Sequence, residues 1–169
     1  MSGIRYPYIP AGRRIEYAGD DNPWMMIARL YAKDESKDPF MPVGAVIASA
    51  SDHVIACGAN ESAYHRVHGC ERIKAGAPVG TAYETCEGCS HRHHAEMVAI
   101  EHALAAGKRD MLDGATMYVW GYWWCCKDCW DRMTELGITR VVLLTGSEKL
   151  FNRSHEDNVV GHPFDEADF

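Results

Sequence analysis

His94-Ala95-Glu96, followed further along by Cys126-Lys127-Asp128-Cys129, is the stretch from which the rest of the chain can be read. One imidazole and two thiolates make three donors for a tetrahedral zinc ion. They leave the fourth position to water, which is what separates catalytic zinc from closed structural sites. Glu96 is a carboxylate left over once those donors are counted. Beside a water activated by a metal it is a candidate acid and base for moving protons, so the pattern predicts metal-assisted hydrolysis.

The spacing has a geometric reading. Residues two apart on a regular helix point roughly 200° from one another, so His94 and Glu96 can address one centre only from the first turn of a helix. Residues 94–107 suit that helix: Ala95, Val98, Ala99, Leu104 and Ala105 are buried-helix residues and Gly107 is a C-terminal stop. Cys126 and Cys129 are one turn apart, hence on one side of a second helix that runs to about Leu136 and ends at Gly137. Both donor sets then lie at helix N-termini, where free amides and the macrodipole favour thiolate.

These residues resemble the zinc-dependent cytidine and deoxycytidylate deaminase superfamily, whose signature is H-x-E followed by P-C-x-x-C. The resemblance extends over most of residues 23–145, including the strands expected at 43–49, 54–58, 115–122 and 140–145. It implies an α/β layered fold, a central mixed sheet of about five strands flanked by helices, in a single domain. It also implies hydrolytic deamination with Glu96 as the catalytic residue and His94, Cys126 and Cys129 as the ligands of a catalytic Zn2+. One departure is plain: Cys125 stands where the family has proline. Proline there presets the turn before a helix. From the same resemblance, Asn60 at the end of the second strand is expected to contact the substrate, and the free N–H of Ala95 to steady a pyrimidine carbonyl. A turn asparagine without a ligand is the other reading of Asn60.

Residues 61–93 form an insertion too long for a hairpin connection, and it is dense in donors. Cys86 and Cys89 have knuckle spacing, and Cys70 plus one histidine would close a second, structural zinc site. His91 follows the knuckle most closely and is the expected fourth ligand, with His65 and His68 as alternatives. Free cysteines and solvated histidines are the competing reading. Arg66, Arg72, Lys74 and Arg92 in the same insertion are candidates for a phosphate. The aromatic run Trp120, Tyr122, Trp123 and Trp124 precedes the cysteine pair. Strand alternation would send Trp120, Tyr122 and Trp124 to one face and Trp123 to the other.

Charge narrows the substrate. A net charge of -7 opposes a nucleic-acid partner, whose binding rests on many Lys and Arg contacts. A free nucleotide needs only a local basic pocket. The expectation is therefore a small deoxycytidylate-like nucleotide. The alternatives are a deaminase of a nucleoside or purine base, a nucleic-acid editing enzyme and, from another class, a zinc-stabilised binding module without activity. No apolar stretch is long enough for a membrane, and residues 1–17 lack the apolar core of a secretory leader, so a cytoplasmic protein with reduced thiols is expected. Relatives of this kind imply a homo-oligomer. Helix 22–33, capped by Asn22 with Pro23 behind it, opens the domain. The polar, acidic tail at 146–169 reads either as a surface segment or as a cover for the pocket.

Overall fold

The computed structural model describes residues 6–169; the first five, part of the stretch read for a leader, lie outside them. Five strands form one sheet: β1 (Ile15–Ala18), β2 (Gly44–Ala48), β3 (Val54–Ala59), β4 (Thr116–Trp120) and β5 (Arg140–Leu144), in the order β1-β5-β4-β2-β3. β4 and β1 run parallel to β5, whereas β2 runs antiparallel to both β3 and β4. β1 is the strand that pattern reading passes over. With four residues it is too short to show an alternation.

Alternate residues of the central strands face two separate cores. Ala45, Ile47, Met117, Val119, Val141 and Leu143 point to one side, against α4 (Ala95–Ala105) and α5 (Lys127–Glu135). Val46, Ala48, Tyr118, Trp120, Val142 and Leu144 point to the other, against α1 (Pro23–Glu35) and α6 (Ser147–Phe151). Burial on both faces explains the continuous apolar runs of β2, β4 and β5. The expected layered α/β architecture is present, with helices on each side of a mixed sheet.

Local chemistry sets the boundaries. Asn22 caps α1 with its Oδ1 accepting the N–H groups of Trp24 and Met25, and Pro23 occupies the first turn. Two glycines let helices approach the sheet: a Cβ on Gly44 would stand 1.9 Å from Ala28 O in α1, and one on Gly58 2.4 Å from Ala99 N in α4. Gly121, at φ 98°, turns the chain immediately after β4. The predicted alternation through the tryptophans therefore stops at Trp120. Trp120 packs on Phe151 and Phe169, whereas Trp124 is buried among Tyr6, Tyr122 and Trp123.

The insertion holds α2 (Tyr64–His68), α3 (Glu71–Lys74) and three single turns of 3-10 helix, Tyr83–Thr85, Glu87–Cys89 and His91–His93. The tail is not a loose surface segment. Phe151 and Val160 are buried in the second core with Phe164 and Phe169 packed beside them, and the Phe164 N–H donates to Pro39 O. No helix among the described residues is long and apolar enough to cross a membrane.

Candidate active site and metal centres

Two helix starts carry the first cluster. His94 is the N-cap of α4 and Cys126 the N-cap of α5, both with extended backbone, and Cys129 lies in the first turn of α5. The Cys129 N–H donates to Cys126 Sγ at 3.4 Å, and His94 Nδ1 is 3.5 Å from each sulfur. Donor atoms around a tetrahedral zinc, with Zn–S about 2.3 Å and Zn–N about 2.0 Å, stand about 3.5–3.8 Å apart. The three donors, all within 4.8 Å of one another, therefore have the spacing zinc requires. Three protein donors leave the fourth direction for a small ligand.

The electrostatics suit a cation. A hydrogen bond from Cys129 lowers the Cys126 thiol to about 4, with His94 adding to the effect against the cost of burial. Burial disfavours charge on His94, yet the Cys126 thiolate raises the ring to about 9. Zinc would take the place of those protons. Glu96 is only 5% exposed, and burial holds its carboxyl above the usual carboxylate range while His94 pulls the other way. Cys125 is wholly buried, its thiol pushed well up by the same burial, and it is not among the clustered donors.

A cavity of about 400 Å³ opens onto this cluster, lined by His94, Ala95 and Glu96. Phe40, Met41, Val43 and Tyr122 supply apolar wall, and Asn60 borders it. Asn60 is already engaged: its Oδ1 accepts from Val43 N–H at 2.9 Å and Ser36 Oγ at 2.6 Å, and its Nδ2 donates to Met41 O at 2.9 Å. One amide N–H is left for a ligand. Of the basic candidates, Arg72 and Lys74 line the cavity. Arg66 and Arg92 do not: the first donates to Lys37 O and the second pairs with Glu87, both on the exposed surface. Arg153, from the tail, joins the lining, as does Tyr83, whose ring lies 4.0 Å under the Arg72 guanidinium and edge-on to His94. Neither residue carries a sequence signal, because both reach the site only through tertiary packing.

The second cluster is His65, Cys70, Cys86 and Cys89, four donor atoms within 4.8 Å. His65 Nε2 lies 3.3 Å from Cys86 Sγ and 3.6 Å from Cys89 Sγ, and Cys70 and Cys89 Sγ are 3.6 Å apart. These separations again match tetrahedral zinc, and four protein donors close the site. The fourth donor is His65, not His91. Nearness in sequence misleads because the turn His91–His93 carries His91 away toward Asp128, at 3.5 Å, whereas α2 folds back over the knuckle. His91 lines a separate cleft of about 330 Å³ that also reaches His94 and Cys126. His68 packs at a tilt on Tyr64 instead, with ring centroids 4.5 Å apart.

Residues 19–145 match the family described as the cytidine and deoxycytidylate deaminase zinc-binding region. Among solved structures, RibD of Acinetobacter baumannii is similar, with 22% identity over 71% of this chain and 26% of its own, at a TM-score of 0.41. Guanine deaminase from Bacillus subtilis is similar with 20% identity over 74% of this chain and 70% of its own, at a TM-score of 0.36. The chain thus spans about a quarter of the RibD length. No curated protein gives a significant match.

Proposed function

Because the chain belongs to the cytidine and deoxycytidylate deaminase zinc-binding family, we propose that it is a zinc-dependent hydrolase converting a free, deoxycytidylate-like cytosine nucleotide to the uracil nucleotide and ammonia. The observation that carries this reading is the buried Glu96 carboxyl beside a cluster of three donors, within a cavity large enough for a nucleotide base and sugar. His94, Cys126 and Cys129 would hold the metal, which when bound lowers the pKa of water toward neutrality and so supplies a nucleophile. Glu96 then accepts the water proton, passes it to the ring nitrogen, and carries a second proton to the departing amino group. The water oxygen adds to the ring carbon as the ring nitrogen is protonated; the second proton comes from the added hydroxyl, the exocyclic carbon–nitrogen bond then breaks, and the balance is one water consumed and one ammonia released.

Substrate class follows from what surrounds those groups. Ala95, in the first turn of α4, lines the cavity, and its N–H would donate to the pyrimidine carbonyl. Lys74 and Arg153 line the cavity and offer cations to a monophosphate, whereas the buried Arg72 guanidinium already donates to Thr81 O and Cys89 Sγ. With a net charge of -7, the chain lacks the broad positive field that a polymer needs. Ammonia release should be screened across cytosine and purine mononucleotides, nucleosides, free bases, single-stranded DNA and tRNA. Fastest turnover on a cytosine mononucleotide is the expected result. Faster turnover on guanine or on a polymer overturns the assignment.

A further inference from the structure

Asp38, just after α1, is a carboxylate that catalysis does not use, and it is only 5% exposed. Its Oδ2 lies 2.5 Å from His65 Nδ1, while its Oδ1 accepts the N–H groups of Phe40 at 3.0 Å and Met41 at 3.3 Å. The other ring nitrogen of His65 is the one that faces Cys86 and Cys89. A nitrogen that gives its lone pair to a metal carries no proton, so the N–H of the neutral ring sits on Nδ1 and points at Asp38. The carboxylate therefore selects the tautomer and fixes the ring plane of the one nitrogen donor in the closed cluster.

A second set of bonds leads from the same carboxylate to the cavity. Met41 C=O accepts from Asn60 Nδ2, Asn60 Oδ1 accepts from Val43 N–H and Ser36 Oγ, and Ser36 Oγ in turn accepts the Asp38 N–H at 3.1 Å. Phe40, Met41, Val43 and Asn60 all border the cavity. One oxygen of Asp38 thus serves the closed cluster and the other serves the wall of the substrate site.

We propose that Asp38 is a positioning residue that orients His65 toward the second metal and links occupancy of that site to the shape of the substrate cavity. His65, held as a ligand when the site is loaded, would fix the carboxylate through its Nδ1, and the carboxylate holds the loop 36–43 through Phe40 and Met41. Calling the cavity a substrate site rests on the deaminase reading. Neither measurement below uses a substrate, so failure of that reading leaves both decisive.

The first measurement is a double-mutant cycle on the full zinc-loaded chain, reading zinc release to a colorimetric chelator. Asp38→Asn is expected to speed release of one zinc by about 10–100-fold in the wild-type background. In the His65→Ala background, where no ring remains to orient, it should change release by less than about twofold. Equal acceleration in both backgrounds, which a purely structural loop contact would give, or no acceleration at all, overturns the assignment. The second is amide exchange in a Cys86→Ser/Cys89→Ser variant that keeps the catalytic zinc. The Phe40 and Met41 amides should exchange about tenfold faster while those of α4 stay within about twofold. Retained protection at Phe40 and Met41 overturns the link to the cavity.

Discussion

Glu96 and the three donors around it separate two kinds of loss. Glu96→Gln removes the proposed proton carrier but no donor of the cluster, so the protein should keep its zinc and its fold while turnover falls by about 10²-fold or more. Cys126→Ala or Cys129→Ala should lose metal and activity together. Elemental analysis beside turnover on the same purified variants checks both, and near-full activity in Glu96→Gln would remove this carboxyl from the proton path. At this scale the clustering of His94, Cys126 and Cys129 is legible in the sequence, because these donors sit one turn apart or open a helix. The closed cluster is only partly so. Its cysteine knuckle is local, but His65 is carried by a helix that packs back over it.

Among the elements, α4 matters most, since its start holds His94, Ala95 and Glu96. Gly58 in β3 is where it touches the sheet, and an alanine there would force a Cβ against Ala99 N and Ala95 O. Gly58→Ala should cost about 3 kcal/mol in chemical denaturation and, by moving the helix, lower activity more than its stability loss explains; unchanged stability and turnover would mean the helix can shift freely. The edge of the sheet makes a weaker, pH-dependent contribution. Arg140 on β5 donates to both oxygens of Glu16 on β1 and reaches Thr116 on β4. The Arg140 hydrogen bond, ahead of the opposing burial, holds the Glu16 carboxyl below its ordinary value. A depressed folded pKa adds stability that is fully present above the unfolded value of about 4.3 and lost as pH falls through the folded one. Glu16 is partly buried but its partner Arg140 is half exposed, so the gap between wild type and Glu16→Gln should be about 0.5 kcal/mol at pH 7, shrink in salt, and vanish in acid. Denaturation at pH 7 and at pH 3 tests it, and a gap that widened in acid would reverse the sign. Helices α1, α4 and α5 and four of the strands are legible from caps, glycines and apolar runs, whereas the short α2, α3 and α6 carry no such pattern and β1 depends on a partner that comes much later in the chain.

For the molecule as a whole, the cysteines fall into two clusters able to hold zinc, one open and one closed. Cys86→Ser/Cys89→Ser should hold about one zinc fewer per chain and melt several degrees lower, because a closed site contributes its binding energy to folding. A single zinc in the intact wild type, in buffer free of chelator, would leave those thiols without that role. Tail and insertion meet the same cavity: Arg153 and Gly161 come from one, Arg72 and Lys74 from the other. Such convergence is invisible to local pattern, which explains why the composition of the tail left a surface segment and a pocket cover equally open.

The pairing of β1 with β5 has a consequence in time. A ribosome adds about 5–20 residues per second, so Ile15–Ala18 emerges some 6–25 s before its partner Val141 exists. Strands β2, β3 and β4, both donor clusters and the starts of α4 and α5 can be in place while this strand still waits in water. Glu16 in its middle keeps the waiting segment solvated and discourages it from pairing with another chain. The same side chain later meets Arg140, so one charge guards the nascent strand and then fastens it as the last edge of the sheet.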